Sequence, residues 1–93
     1  MVKTFDWSPE KNQQLITERS VSFEDAIFYL MNDGLLDDIE HPDPARYPNQ
    51  RILIIDFAGY AYLVPYVETD EVIFLKTIIP SRKATRKYLG DTK

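Results

Sequence analysis

The segment from Arg51 to Phe57 constrains the fold most, because it contains the nearly continuous apolar run Ile52, Leu53, Ile54 and Ile55. A short apolar run bounded by turn residues indicates a strand. Ala58-Gly59 predicts a turn into a second strand, Tyr60 to Val67, in which Pro65 favours an edge position or a bulge. A further turn at residues 69–71 leads to a third predicted strand, Val72 to Ile79. The three strands would form an antiparallel meander.

Two helix-start signals precede these strands. Ser8-Pro9 combines a good N-cap with a proline at the first helical position, where its missing N–H would be unsatisfied anyway, and predicts a helix over residues 9–19. The segment 22–25 matches the Ser-x-x-acid capping pattern and predicts a second helix to about Asn32, with Gly34 as a left-handed stop. The short link between the two helices implies a helical hairpin.

Shorter elements complete the chain. Residues 5–7 and 35–39 are typical of short strands, and the three prolines within residues 41–49 indicate a surface loop. Ser81 can cap a helix that ends at Gly90. These elements predict an α+β fold in which a helical hairpin packs on a small twisted antiparallel sheet, with a C-terminal basic helix. The predicted core residues are Phe23, Ile27, Leu30, Leu53, Ile55, Leu63, Ile73, Leu75 and Ile78.

Length and composition limit the functions open to the chain. Its 93 residues predict one domain, residues 1–93, with one modest core. The absence of cysteine excludes disulfide scaffolds, thiolate zinc sites and cysteine nucleophiles, and the single histidine excludes multi-histidine metal sites. No apolar run approaches the roughly 20 residues that span a bilayer. With no signal-peptide pattern in the first residues, we expect a cytosolic protein.

Charge is divided unevenly along the sequence. Residues 1–50 carry four Lys/Arg against ten Asp/Glu, whereas residues 51–93 carry seven against five, within a net charge of −4. From Lys76 onward six basic residues face one acid, Asp91. Such asymmetry indicates a basic face for an anion or an acidic partner. On composition alone, mutual attraction of the two halves within the fold is the preferred interpretation.

Few residues have the chemistry of an active site. A metal site built from Asp37, Asp38 and His41 would need convergent side chains, whereas neighbours on a strand point to opposite faces. A set of cations and phenols remains, and such a set can serve metal-free RNA cleavage. A cation then stabilises the phosphorane, and His41, a carboxylate or a tyrosine transfers protons. The cations are Arg51, Lys76, Arg82, Lys83 and Arg86, and the phenols are Tyr62, Tyr66 and Tyr88.

Three stretches resemble a known family. They are Phe5-Asp6-Trp7-Ser8-Pro9-Glu10-Lys11-Asn12, then Val21-Ser22-Phe23-Glu24-Asp25-Ala26, and then Ser81-Arg82-Lys83-Ala84-Thr85-Arg86. In this order and spacing they resemble the BrnT-like toxins of bacterial type II toxin–antitoxin systems, which are ribonucleases with a RelE-like fold. The chain departs from the family pattern in its net acidity.

The resemblance implies the element order β-α-α-β-β-β-α and a toxin that blocks translation by cleaving RNA without a metal or other cofactor. It also implies a cytosolic bacterial or phage protein whose partner is a ribbon-helix-helix antitoxin. The chain would form either a homodimer or a toxin–antitoxin heterotetramer. The catalytic candidates are Arg51, Lys76, Arg82 and His41, and the RNA-binding candidates are Trp7, Lys11, Lys83, Arg86 and Tyr62. The alternative is a non-catalytic protein-interaction module with the toxin fold.

Overall fold

Within residues 3–90, which the computed structural model describes, the chain forms six strands and three helices. In order they are β1 (Thr4–Asp6), α1 (Pro9–Arg19), α2 (Phe23–Tyr29), β2 (Leu35–Glu40), β3 (Gln50–Phe57), β4 (Tyr60–Glu68), β5 (Val72–Leu75), β6 (Ile79–Pro80) and α3 (Arg82–Ala84). A π-helical turn follows α2, over Leu30–Gly34, and another follows α3, over Thr85–Leu89. The predicted α+β class is confirmed: two N-terminal helices pack on a mostly antiparallel sheet, and a short helix lies near the C-terminus.

The β3–β4 hairpin is the centre of the sheet. Its strands pair in unbroken antiparallel register from Gln50–Val67 to Phe57–Tyr60. The predicted turn is present, and Ala58 (φ 52°) and Gly59 (φ 103°) both adopt positive φ, as tight two-residue hairpin turns require. The Asp56 carboxylate accepts a hydrogen bond from the Gly59 amide at 2.6 Å and closes the turn.

The strand order is β1-β5-β4-β3-β2, and the short β6 pairs β4 at Tyr62 and Leu63. All pairs are antiparallel except β1 with β5. The sheet therefore has more strands than the four in the order that the resemblance implies. The additional strands are β2, which the residues themselves predict, and the short β6.

Both predicted helix starts are confirmed. Ser8 accepts a hydrogen bond from the Lys11 amide, with proline in the first turn of α1. Ser22 and Asp25 form the reciprocal capping box of α2. Asn12, which sequence reasoning overlooked, joins the two helices: its buried side chain accepts from the Phe23 amide and donates to Glu24, both at 2.8 Å. This bond to Asn12 lowers the pKa of Glu24.

The predicted end of the second helix is confirmed in position and wrong in its stop residue. The α-helix ends at Tyr29 and continues as a π-helical turn that first leaves helical backbone at Asn32, the predicted end. The residue with left-handed backbone is Asp33 (φ 66°, ψ 24°) rather than Gly34. Glycine is required at position 34 for space. A Cβ there would lie 2.5 Å from the carbonyl oxygen of Tyr29 and 3.1 Å from that of Asp56. The π-helical turn can approach β3 this closely only because residue 34 has no side chain.

The predicted third strand, Val72 to Ile79, is interrupted. Pairing with β4 stops after Leu75 and resumes at Ile79 as β6. Between them the Ile78 carbonyl accepts a hydrogen bond from the Arg19 guanidinium at 2.7 Å, so this carbonyl does not join the ladder. Arg19 at the end of α1 thus diverts the chain, an interaction that no local pattern reveals.

Pro65 lies opposite this interruption. Of the two predicted settings, the edge position is wrong, because β4 is an interior strand. The bulge is confirmed as an irregularity in the partner, since pairing passes from Tyr66–Leu75 to Leu63–Ile79 and two residues of β4 face three. The Pro65 carbonyl accepts from the Lys76 amide at 2.8 Å, and its ring nitrogen faces the same side, where β5 has ended and β6 has not begun. A residue without an N–H therefore costs the sheet no ladder bond here.

Side-chain alternation divides the core into two layers. On the first face, the larger cluster joins the helices to residues of β3, β4 and β5. On the second face, Ile52, Ile54 and Ala61 contact the C-terminal segment through Ala84, with Tyr88 and Leu89 alongside. Five of the nine predicted core residues are buried: Phe23, Leu53, Ile55, Leu75 and Ile78. The other four are partly buried and pack against these clusters: Ile27, Leu30, Leu63 and Ile73.

The predicted C-terminal helix begins as expected and then changes form. Ser81 caps α3 by accepting from the Ala84 amide, and Gly90 (φ 80°) ends the following π-helical turn. Across residues 3–90, no helix is long and apolar enough to cross a bilayer.

Replacing Gly34 tests the close approach. Gly34→Ala should lower the free energy of unfolding by about 1–3 kcal/mol, because the added methyl group would overlap a backbone carbonyl that cannot easily move. Asp33→Gly is the neighbouring control and should be nearly neutral, since glycine readily adopts positive φ. Urea unfolding of both variants measures the effect, and a Gly34→Ala variant as stable as the parent chain would contradict it.

Candidate functional site

The C-terminal segment concentrates exposed positive charge. Residues 76–90 contain five Lys/Arg and no Asp or Glu. All five side chains are exposed: Lys76, Arg82, Lys83, Arg86 and Lys87. We call these five residues the C-terminal cation group. Lys76 lies 5.7 Å from the Phe74 ring centre, on the second face of the sheet, and the other four project from α3 and its π-helical turn.

Hydrogen bonds fix this segment to strand β4. The Ser81 amide donates to the Ala61 carbonyl at 3.0 Å, and the Ala61 amide donates to the Thr85 hydroxyl at 2.9 Å. Thr85 in turn donates to the Ser81 carbonyl at 2.7 Å. Because Ala61 is fully buried, leaving its amide without a partner would cost about 1–3 kcal/mol. The segment is therefore held rigidly, and the residues between these anchors, Arg82 and Lys83, point to solvent.

A second anchor ties the segment to the sheet edge. The Tyr88 hydroxyl donates to the Asp37 carboxylate at 2.7 Å. This bond lowers the pKa of Asp37 and raises the pKa of Tyr88. The positive charge of Lys87 also lowers the pKa of Asp37.

The cation group makes no ion pair with a described residue. The ion pairs found within residues 3–90 are Lys3–Glu68 and Arg51–Asp38. Both of these ion pairs join the acidic half to the basic half, so the interpretation in which the two halves attract each other is confirmed there. The C-terminal cation group takes no part in these pairs.

A different polar cluster lies on the first face of the sheet. The Tyr66 hydroxyl lies 2.9 Å from both carboxylate oxygens of Asp38. Arg51 donates to the same carboxylate from Nε at 3.1 Å and to the Asp38 carbonyl from Nη2 at 2.9 Å. Burial and the neighbouring carboxylate raise the pKa of Tyr66 to about 12, and the contact with Asp38 raises the pKa of Arg51.

This cluster forms the floor of an open concavity of about 370 Å³, which is lined by Glu40, Asn49, Gln50, Arg51, Tyr66 and Glu68. The lining thus includes the carboxylates of Glu40 and Glu68 and a single guanidinium, that of Arg51, which already pairs with Asp38. The concavity is polar and does not concentrate positive charge. It lacks the electrostatic character that favours a phosphate.

The predicted site residues do not form one group. Lys76, Arg82, Lys83 and Arg86 lie on the second face. Arg51 lies on the first face, with the sheet between it and them. Trp7 stacks on Phe23 at 5.6 Å, Tyr62 packs between Phe57 and Tyr60, and Lys11 is half-buried in α1. These three belong to the helix-covered face or its margin.

His41 is engaged within its own loop. Its Nδ1 accepts a hydrogen bond from the Asp43 amide at 3.0 Å, and its ring stacks on Tyr47 at 4.3 Å between ring centres. These contacts hold the imidazole orientation at the start of the proline-rich segment. They also fix the Nδ1 as an acceptor, which leaves Nε2 as the nitrogen that can carry a proton.

The metal alternative depends on convergence that the structure does not show. Asp37 bonds Tyr88 on the second face, and Asp38 bonds Tyr66 on the first. Among the residues described, no three His, Asp or Glu side chains gather as metal ligands would. The expected divergence of the two neighbouring acids is confirmed.

Sequence reasoning missed the roles of these two acids as hydrogen-bond acceptors. The signal available was the alternation of strand β2, which sends Asp37 and Asp38 to opposite faces. The tyrosine partner of Asp38 lies 28 residues further along the chain, and that of Asp37 lies 51 residues further. No local spacing identifies partners at that separation.

Comparison of the chain with protein-family models, with curated proteins and with solved structures returned no significant match.

The raised pKa of Tyr66 predicts a specific pH dependence. The folded protein holds this proton more tightly than the unfolded chain, whose tyrosine pKa is near 10.0, so stability is lost as the pH rises from there to about 12. Between about pH 10 and pH 12 the parent chain should lose unfolding free energy more steeply than Tyr66→Phe.

Asp38→Asn gives the matched comparison, measured by urea unfolding across the same pH range. It removes the negative charge but leaves Tyr66 buried, so its profile should lie between the other two. Identical slopes for the parent chain and Tyr66→Phe would exclude this assignment.

Proposed function

We propose that the chain is the toxin of a type II toxin–antitoxin system, a metal-independent endoribonuclease that inhibits translation in the bacterial cytoplasm. The observation that carries the proposal is the C-terminal cation group, five exposed cations on an anchored segment with no acidic partner among residues 3–90. RNA offers the repeated phosphates that such a group binds.

The third family-like stretch, residues 81–86, supports this reading because its residues divide into two kinds. Ser81, Ala84 and Thr85 anchor the segment by capping, burial and hydrogen bonds to Ala61. Arg82 and Arg86, with Lys83, are exposed. The stretch thus combines a structural requirement with a cationic surface, as positioning of a phosphate would demand.

RNA cleavage without a metal requires three catalytic functions. A base removes the 2′-hydroxyl proton, a cation stabilises the extra negative charge of the phosphorane, and an acid protonates the departing 5′-oxygen. We assign the phosphate to Lys76 and Arg82, which share the second face, with Lys83 and Arg86 holding the flanking backbone. His41 or a tyrosine would transfer the protons.

Arg51 is a weaker candidate for binding the phosphate than these cations. Its guanidinium is committed to Asp38 and lies on the other face of the sheet, so it cannot share a phosphate with Arg82. If Arg51 acts, it does so at the first-face concavity, apart from the cation group. RNA bound on that side would then contact the other predicted RNA-binding residues, Trp7, Lys11 and Tyr62.

The net charge of −4 does not oppose RNA binding on the second face. At physiological ionic strength the Debye length is about 8 Å, so acids beyond that distance act weakly on a bound phosphate. A local group of five cations therefore determines the field that an approaching strand meets. The proposed antitoxin is a ribbon-helix-helix protein, and the two would form a heterotetramer and repress their own operon.

The acidic first half favours a second candidate, a non-catalytic interaction module. Residues 1–50 carry a net charge of −6, which gives the chain a surface suited to a basic protein. A module of this kind would bind its partner and cleave no RNA. An adjacent reading frame for a small ribbon-helix-helix protein would favour the toxin instead.

Neutralising two cations tests the proposal. Inducible expression of the chain in a bacterial host should arrest growth and degrade RNA, whereas Arg82→Gln/Lys83→Gln should do neither while remaining folded. Loss of two phosphate contacts should also reduce the salt dependence of RNA binding, lowering the log–log slope by about 1.4 for a single strand. Cleavage by the purified chain should persist in a metal chelator.

Arg46→Gln is the control, because Arg46 is exposed but lies in the loop between β2 and β3. It should arrest growth like the parent chain. Continued toxicity of the double variant would exclude Arg82 and Lys83 from the site. Intact RNA and normal growth with the folded parent chain would favour the interaction module.

A further inference from the structure

An exposed apolar stripe runs along α2 and its π-helical turn. Phe28 is 60% exposed, Met31 is 69% exposed, and Leu35, at the start of β2, is 45% exposed. Phe28 and Met31 are three residues apart in helical backbone, which places their side chains on one side of the helix, and Leu35 follows where the chain leaves the π-helical turn for β2. We call these three residues the α2 stripe. Large apolar side chains clustered in this way mark interaction surfaces more often than single exposed ones do.

The stripe has a rigid support. The Phe28 ring packs edge-on against Tyr29 at 5.3 Å, and Tyr29 packs on Phe57 of the central hairpin at 5.0 Å. Gly34 then brings the π-helical turn against β3. The stripe is therefore preformed, and binding of a partner would lose little free energy in ordering its side chains.

The segment that carries the stripe is acidic. Residues 20–35 contain three Asp/Glu and no Lys or Arg. Glu24, Asp25 and Asp33 lie in α2 or its π-helical turn, and all three are exposed. A second copy docked stripe to stripe would bring these acids against one another, and a nucleic acid would be repelled. A basic protein segment is complementary.

The conformation of that segment follows from the neighbouring edge strand. β2 ends the sheet, but the Asp38 amide already donates to Asp37 at 2.8 Å and the Asp38 carbonyl accepts from Arg51 at 2.9 Å. A strand added to this edge would have to displace both bonds. A helix laid along α2 displaces neither and can match the spacing of the stripe.

We propose that the α2 stripe is the docking surface for a basic amphipathic helix of a partner protein, with apolar side chains on Phe28, Met31 and Leu35 and Lys/Arg facing the surrounding acids. This surface lies on the helix-covered face, across the sheet from the C-terminal cation group. It serves a partner whether or not the chain cleaves RNA.

Two synthetic helical peptides test the proposal by fluorescence anisotropy with the full-length chain. They share one leucine face, and their polar faces carry either lysine or glutamate. The lysine peptide should bind about tenfold more tightly than the glutamate peptide, and Phe28→Ser/Met31→Ser should weaken its binding by about tenfold. Asp33→Asn should weaken it less and reduce its salt dependence.

Ile79→Ser is the matched control, because Ile79 is also exposed and apolar but lies in β6. It should bind the lysine peptide like the parent chain. Urea unfolding checks that each variant is folded, and RNA binding should be unchanged in Phe28→Ser/Met31→Ser. Equal binding of both peptides, or full binding by the double variant, overturns the proposal. A concentration-dependent dimer that Phe28→Ser/Met31→Ser abolishes would assign the stripe to a second copy and overturn it as well.

Discussion

Burial of the β3–β4 hairpin on both faces is the constraint on which the rest of this structure depends. Strands covered on two sides need apolar residues at successive positions, which explains the continuous run Ile52 to Ile55. One face is covered by α1 and α2. The other needs a separate cover, and the C-terminal segment supplies it with Ala84, Tyr88 and Leu89. The cations of that segment are therefore brought to the second face by apolar packing, and their placement does not depend on any ligand.

The parts of the fold that could be predicted are those in which cause and effect are close in sequence. The caps at Ser8 and Ser22, the Ala58-Gly59 turn and the central hairpin are local, and all are confirmed. The interruption of the third strand is not local, since it depends on Arg19 reaching the carbonyl of Ile78. The need for glycine at position 34 is steric, because a Cβ would overlap the Tyr29 carbonyl and press on that of Asp56, and the helix-stop signal of the sequence reveals neither contact.

The candidate site shows the same division between local and distant causes. Composition already revealed the basic C-terminal segment, and an exposed basic segment is what the structure has. The grouping of Arg51 with the other cations could not be checked from sequence, because register decides which face a strand residue occupies and one residue of slip reverses it. In the observed register Arg51 meets Tyr66 and Asp38 instead. Residue type alone indicates that Arg51 can bind a phosphate, but only the strand register shows on which face of the sheet it lies.

The distribution of charge explains how a chain with a net charge of −4 presents an exposed basic segment. The tyrosine bonds of Asp37 and Asp38 hold two acids at the edge strand, where the charge of Lys87 acts on Asp37. Most other acids of the first half lie with the helices or the proline-rich loop. The exposed acids of α2 lie on the helix-covered side, whereas the exposed cations of residues 76–90 lie on the second face or in the segment that packs on it. One small chain can thus present two surfaces of opposite charge, because apolar packing of two separate covers, and no pairing between them, sets where each is placed.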